Sequence, residues 1–108
     1  MIKLINLLAL LILLYSSSSM AGLYGDQLYM QNCMVCHADD GTGAMPGVSD
    51  LTDNKNLKTL TDQQIFKLLK QGVNKPGATV IMPPKGGNPD LTDSELKAII
   101  LFLRKELL

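Results

Sequence analysis

Five consecutive residues, Cys33-Met34-Val35-Cys36-His37, contain both cysteines of the chain and its only histidine. Two thiols and an imidazole so close together admit several chemistries. A bare C-x-x-C is a redox disulfide in folds that alternate strands with helices. A structural disulfide suits a chain exported to an oxidising compartment. Zinc takes about four ligands in a tetrahedral site, so here it would have to borrow carboxylates.

The adjacent histidine favours a further reading. C-x-x-C-H is the attachment pattern of a c-type haem. On one helical turn the thiols of Cys33 and Cys36 reach the two vinyl groups of one porphyrin. His37, the next residue, then coordinates iron from the same side, and imidazole is a standard proximal haem ligand. A second histidine ligand is excluded, because the chain has one His. Methionine remains, as a soft neutral thioether. Met30 and Met34 share the helix of Cys33, and Met45 follows His37 closely in a loop on the same side. Met82 lies beyond a full helix, so it can come round to the opposite face. Pro83 and Pro84 follow it and stiffen the loop. The expected metal ligands are His37 and Met82.

Three helical segments must position these groups. The first is expected over residues 25–36, with Asp26 near its positive end. The second opens on a capping box, Thr61 with Gln64, carries Ile65, Leu68 and Leu69 at helical spacing, and ends at Gly72. The third repeats the box with Thr92 and Glu95. Its stripe is Leu96, Ile99, Ile100, Leu103 and Leu107, with Arg104 and Lys105 at the negative end. Residues 38–58 and 71–89 read as loops, the second with four prolines. Only Thr79-Val80-Ile81 is β-like, too short for a sheet. The expected architecture is all-α, about three main helices with loops wrapped around one haem.

The N-terminus reads as an export signal. Lys3 supplies positive charge, residues 4–14 are apolar apart from Asn6, and serines 16–19 follow. Ser19-Met20-Ala21 puts small residues at the cleavage positions, which places the cut before Gly22. The apolar run is short of the about 20 residues that span a bilayer. The domain expectation is a signal peptide over 1–21 and one folded domain over 22–108. If the segment were retained, it would hold the chain at a membrane. Formal charge is zero over the 108 residues, with ten basic and ten acidic side chains. Nothing in that balance suggests nucleic acid, which selects a basic surface, and none is expected as a partner. The segment 22–108 has no Trp and four aromatics, Tyr24, Tyr29, Phe66 and Phe102. A domain this small with so thin an apolar supply usually needs a staple or cofactor, and a buried haem supplies that core.

At these residues the chain resembles the class I c-type cytochromes, small bacterial mono-haem proteins. The resemblance spans 22–108. It rests on Cys33, Cys36 and His37, on Gly41-Thr42-Gly43, on Pro46, on Val80-Ile81-Met82-Pro83-Pro84 and on the last helix. It implies one covalent haem c. It also implies that the carbonyl of Pro46 accepts the His37 ring N–H, which would fix the ring tautomer. Gly25 and Tyr29 of the first helix are implied to meet Phe102 of the last. The Trp that holds a haem propionate in many relatives is absent here, so the propionate donors stay unassigned. The implied function is one-electron transfer, without enzymatic activity, in a periplasmic respiratory chain, between partners such as a respiratory reductase and a terminal oxidase. Two other readings stand beside it. One is an open-site haem protein that binds a small ligand or peroxide if Met82 is labile, and the other is a membrane-held electron-relay subunit.

Overall fold

The computed structural model describes residues 3–4, 20–53 and 55–108. The expected export signal therefore lies almost wholly outside the described residues. Helix α1 covers Met20–Asn32, α2 Met34–His37, α3 Lys55–Thr59, α4 Asp62–Gln71 and α5 Asp93–Phe102; a turn at Pro84–Gly87 precedes α5, and a π-helical turn, Leu103–Leu107, extends it. Among the described residues no helix is long and apolar enough to cross a membrane. The only β pairing described is one antiparallel bridge, Val73 with Met82.

Both capping boxes form. Thr61 accepts from the Gln64 N–H while Gln64 accepts from that of Thr61, and Thr92 and Glu95 do the same. Each box satisfies two N–H groups that a helix start leaves without partners. Gly72 caps α4 with φ 75° and sends its N–H to the Leu68 carbonyl. A Cβ there would stand 2.5 Å from the Met82 carbonyl oxygen, so the bridge to Met82 also requires a glycine.

The core is the crossing of α1 and α5. Leu28 and Tyr29 of α1 are buried with Leu96, Ala98, Ile99, Ile100 and Phe102 of α5, and Leu57, Ile65, Leu91 and Leu103 close the cluster. Gly25 makes the close approach possible: a Cβ there would lie 2.2 Å from the Ala98 carbonyl oxygen. The rings of Tyr29 and Phe102 then meet with centroids 5.0 Å apart, tilted by 42°, an arrangement aromatic pairs favour.

Three details depart from expectation. The first helix breaks at Cys33 instead of running on to Cys36. The Asn32 amide donates to the Leu28 carbonyl, and its Oδ1 accepts from the Asn88 side chain; a side chain that bonds nearby backbone competes with the helical ladder. Leu68 is exposed although it sits on the expected stripe. Arg104 crosses to Asp62 Oδ1 at 2.9 Å and to the carbonyls of Lys58 and Leu60, which ties the end of α5 to the α3–α4 connection.

Candidate functional site

Helix α2 is one turn long and carries both thiols and the imidazole. Its start is held by the Cys33 N–H donating to the Tyr29 carbonyl at 2.8 Å; at its end the Ala38 N–H donates to the Met34 carbonyl at 2.8 Å. Cys33 and Cys36 are both free thiols, one half-buried and one exposed. Burial, and then the neighbouring Cys36, pushes the Cys33 thiol up to about 11. No group of three His, Cys, Asp or Glu side chains among the described residues could hold a metal ion, which leaves the zinc reading without a ligand set.

His37 is half-buried. Its Nδ1 lies 3.2 Å from the carbonyl oxygen of Ser49. Burial lowers its pKa, an effect the Ser49 carbonyl opposes. The resemblance implies the carbonyl of Pro46 for this role; the hydrogen bond described is to Ser49, three residues further along the same exposed loop. Left-handed glycines steer the chain there. Gly43 (φ 97°) would bring a Cβ within 3.1 Å of the Val48 carbonyl oxygen and 3.8 Å of that of Ser49. Gly47 (φ 89°) follows, and the Val48 N–H closes a turn on the Met45 carbonyl at 3.3 Å. The loop returns to α2 through the Gly43 N–H on the His37 carbonyl and the Ala44 N–H on the Cys36 carbonyl, each 2.8 Å.

The same loop carries two features that were not anticipated. Asp40 accepts from the N–H and hydroxyl of Thr42, and Asp50 from those of Thr52. These bonds are the main reason both carboxyl groups sit below their ordinary range. Between them the Leu51 N–H donates to the Gly41 carbonyl at 2.8 Å. Asx motifs of this kind were legible only as Asp-x-Thr spacings.

The loop also touches the segment that leads to Met82, since a Cβ on Gly47 would meet Thr79 Oγ1 at 2.8 Å and Val80 Cγ2 at 3.0 Å. Met82 is half-buried. Its N–H and carbonyl exchange hydrogen bonds with Val73 at 3.0 and 2.9 Å. Of the other methionines near the site, Met34 packs against the helical core, while Met30 and Met45 are exposed. Lys85 turns through φ 56° and donates to the Leu91 and Pro89 carbonyls.

These residues fit a c-type haem. Two unpaired thiols stand on one turn, and the imidazole gives Nδ1 to a carbonyl, which leaves Nε2 for iron. Val35 of the same turn, and Met45 and Ile81 of the two loops, leave apolar side chains exposed.

Comparison with known proteins agrees. The chain is 30% identical to cytochrome c-555 of Prosthecochloris aestuarii over 89 residues, 78% of this chain and 86% of that protein. It is 29% identical over 86 residues, 75% of this chain, to the cytochrome c subunit of the quinone alcohol dehydrogenase of Gluconobacter oxydans (strain 621H), of which it spans only 18%. No solved structure gives a significant match. A family model described as cytochrome c matches residues 23–106, a range that takes in the C-x-x-C-H turn, both capping boxes and the α1–α5 crossing, and the chain thereby belongs to the cytochrome c family, as a haem-based electron-transfer protein with covalently attached haem c.

Proposed function

We propose that the chain is a one-electron carrier with iron held by His37 on one face and Met82 on the other. Haem c, when bound, supplies an iron that cycles between the ferric and ferrous states. The chain's own residues do the rest. Cys33 and Cys36 attach the macrocycle, Ser49 holds the His37 ring in one tautomer, and the Val73 pairing fixes the backbone that presents Met82. The observation that carries this reading is the Nδ1–Ser49 hydrogen bond, which commits His37 to a single nitrogen for iron. Met82 is supported by its own bridge to Val73 and the two prolines that follow it, and by the packing of Met34 into the core. With His37 and Met82 both holding it, bound haem would offer no open iron position to a substrate, and electrons would pass through its exposed edge.

We place the protein in the periplasm, after removal of residues 1–21, within a respiratory chain between a reductase and a terminal oxidase. The Gluconobacter relative, a subunit of a quinone dehydrogenase, favours a second reading in which the chain relays electrons from a dehydrogenase inside an assembly. The mass of the mature N-terminus separates the two: Gly22 supports the free carrier, Met1 the held relay.

The functional test is an optical redox titration with carbon monoxide added to the ferrous form. The carrier gives one reversible one-electron transition and a ferrous spectrum that carbon monoxide leaves unchanged. Rapid formation of a carbon monoxide complex would replace it with the open-site reading.

A further inference from the structure

Ala38, the residue after His37, has φ 67° and ψ 168°. That region of backbone space is populated almost only by glycine, and a residue with a Cβ persists there only when its surroundings hold it. Such strain concentrates at functional sites.

What holds Ala38 is visible. The hydroxyl of Tyr29 donates to the Ala38 carbonyl at 2.7 Å. Tyr29 is fully buried, and its ring is locked on Phe102. Its own carbonyl accepts the Cys33 N–H. One residue of α1 therefore grips the C-x-x-C-H turn at both ends, by its backbone before Cys33 and by its side chain after His37. Beyond Ala38 the chain reverses, and Gly43 and Ala44 donate to the carbonyls of His37 and Cys36.

We infer that Tyr29 is a positioning residue for the haem ligand: its hydroxyl holds Ala38 in a glycine-only conformation and so sets where His37 stands. Helix packing alone does not need this hydroxyl, because a phenylalanine would fill the same space against Phe102. At the turn, the Ala38 carbonyl also accepts the Gly41 N–H, but at 3.4 Å, so the hydroxyl at 2.7 Å is the shorter of its two anchors. This role rests on His37 being the iron ligand, as proposed above.

The test uses haem-loaded protein and the substitution Tyr29→Phe, which keeps the ring and removes the donor. The amides of Gly43 and Ala44 should exchange with solvent roughly tenfold faster, the size expected for losing one buried hydrogen bond. Those of Ile99 and Ile100 in α5 should change far less, and the paramagnetic shifts of the His37 ring should move. The same step made on Ala38→Gly, where the conformation carries no Cβ strain, should have a much smaller effect. That pair of backgrounds also covers poor haem loading of Tyr29→Phe alone, because the doubly substituted chain should load normally. Unchanged exchange at Gly43 and Ala44 would overturn the role. So would equal acceleration throughout α5, or the same loss in both backgrounds. The exchange readout tests the clamp without reference to iron. If exchange rises while the ring shifts stay fixed, the clamp stands and the positioning role fails. Absence of any paramagnetic shift on the native His37 ring would count instead against His37 as ligand.

Discussion

Helices α1 and α5 meet through side chains, whereas the loops over 38–53 and 72–91 are held through backbone. Of the buried apolar residues, only Leu91 comes from those loops. The loops use left-handed glycines, two Asp–Thr motifs and cross-links such as Leu51 to Gly41. Their apolar side chains Met45 and Ile81 remain exposed, as does Val35 of α2. The helical half holds the buried cluster, although Tyr24, Met30, Leu68 and Leu101 stay exposed on its outer faces. The loop half is shaped around surface that haem c would bury, which is how so small a chain with four aromatics in its folded segment reaches a full core.

Breaking the comparison starts with the cofactor. Cys33→Ser combined with Cys36→Ser removes covalent attachment, so haem should extract freely into acid acetone. Amides of Gly43, Ala44 and Leu51 should lose most of their protection against exchange, and those of Ile99 and Ile100 should lose less. Equal loss in both halves would mean that the helical half is not complete on its own.

Substitutions in the helical half should act on stability. Phe102→Ala removes a buried ring and its contact with Tyr29, and should cost about 3–5 kcal/mol in denaturant unfolding. Gly25→Ala forces α1 away from Ala98 and should cost about 1–3 kcal/mol. Phe102→Ala also frees the Tyr29 ring whose hydroxyl holds the Ala38 carbonyl, so the His37 ring shifts of the still-folded, haem-loaded protein should move as well. Fixed shifts would show that the two halves are separable. Thr61→Ala and Thr92→Ala, each the loss of one cap, should cost about 1 kcal/mol apiece.

Alkaline pH gives a further probe. Burial first pushes the Tyr29 hydroxyl up from an ordinary 10.0, to about 12 in the haem-free chain, where the Cys33 thiol, Asp40 and Asp39 add to it. Once Cys33 is a thioether, only burial and the two carboxylates act. A raised acid favours its neutral form on folding. Its contribution to stability is therefore complete below pH 10.0 and is lost as pH rises towards 12. Tyr29→Phe should flatten that part of the stability profile. An identical alkaline fall in native and substituted protein would place its cause elsewhere.

The site's legibility in the sequence followed the chemistry. Thiols and an imidazole at fixed spacing are residue types that few other purposes require, so Cys33, Cys36 and His37 could be read directly. Thr61 with Gln64 and Thr92 with Glu95 were legible because a capping box is complete within four residues. Ser49 was not, because every residue has a carbonyl and only the path of the loop through Gly43 and Gly47 selects one; the family resemblance pointed to Pro46 instead. The Asn32 side chain beside the break at Cys33 is bonded to Asn88, far along the chain, and the reach of Arg104 depends on where α3 ends. Neither leaves a local signal. The conformation of Ala38 is equally silent, since a residue with a Cβ is not one that sequence alone would put at φ 67°.

The central claim is that His37 and Met82 together close the iron, and the ferric absorption spectrum tests it most directly. A thioether–iron bond gives a weak band at the red end of the visible range. Native protein should show that band, and Met82→Ala should lose it, with a lower potential and rapid carbon monoxide binding to the ferrous form. Native protein that lacks the band and binds carbon monoxide as fast as Met82→Ala would contradict the account.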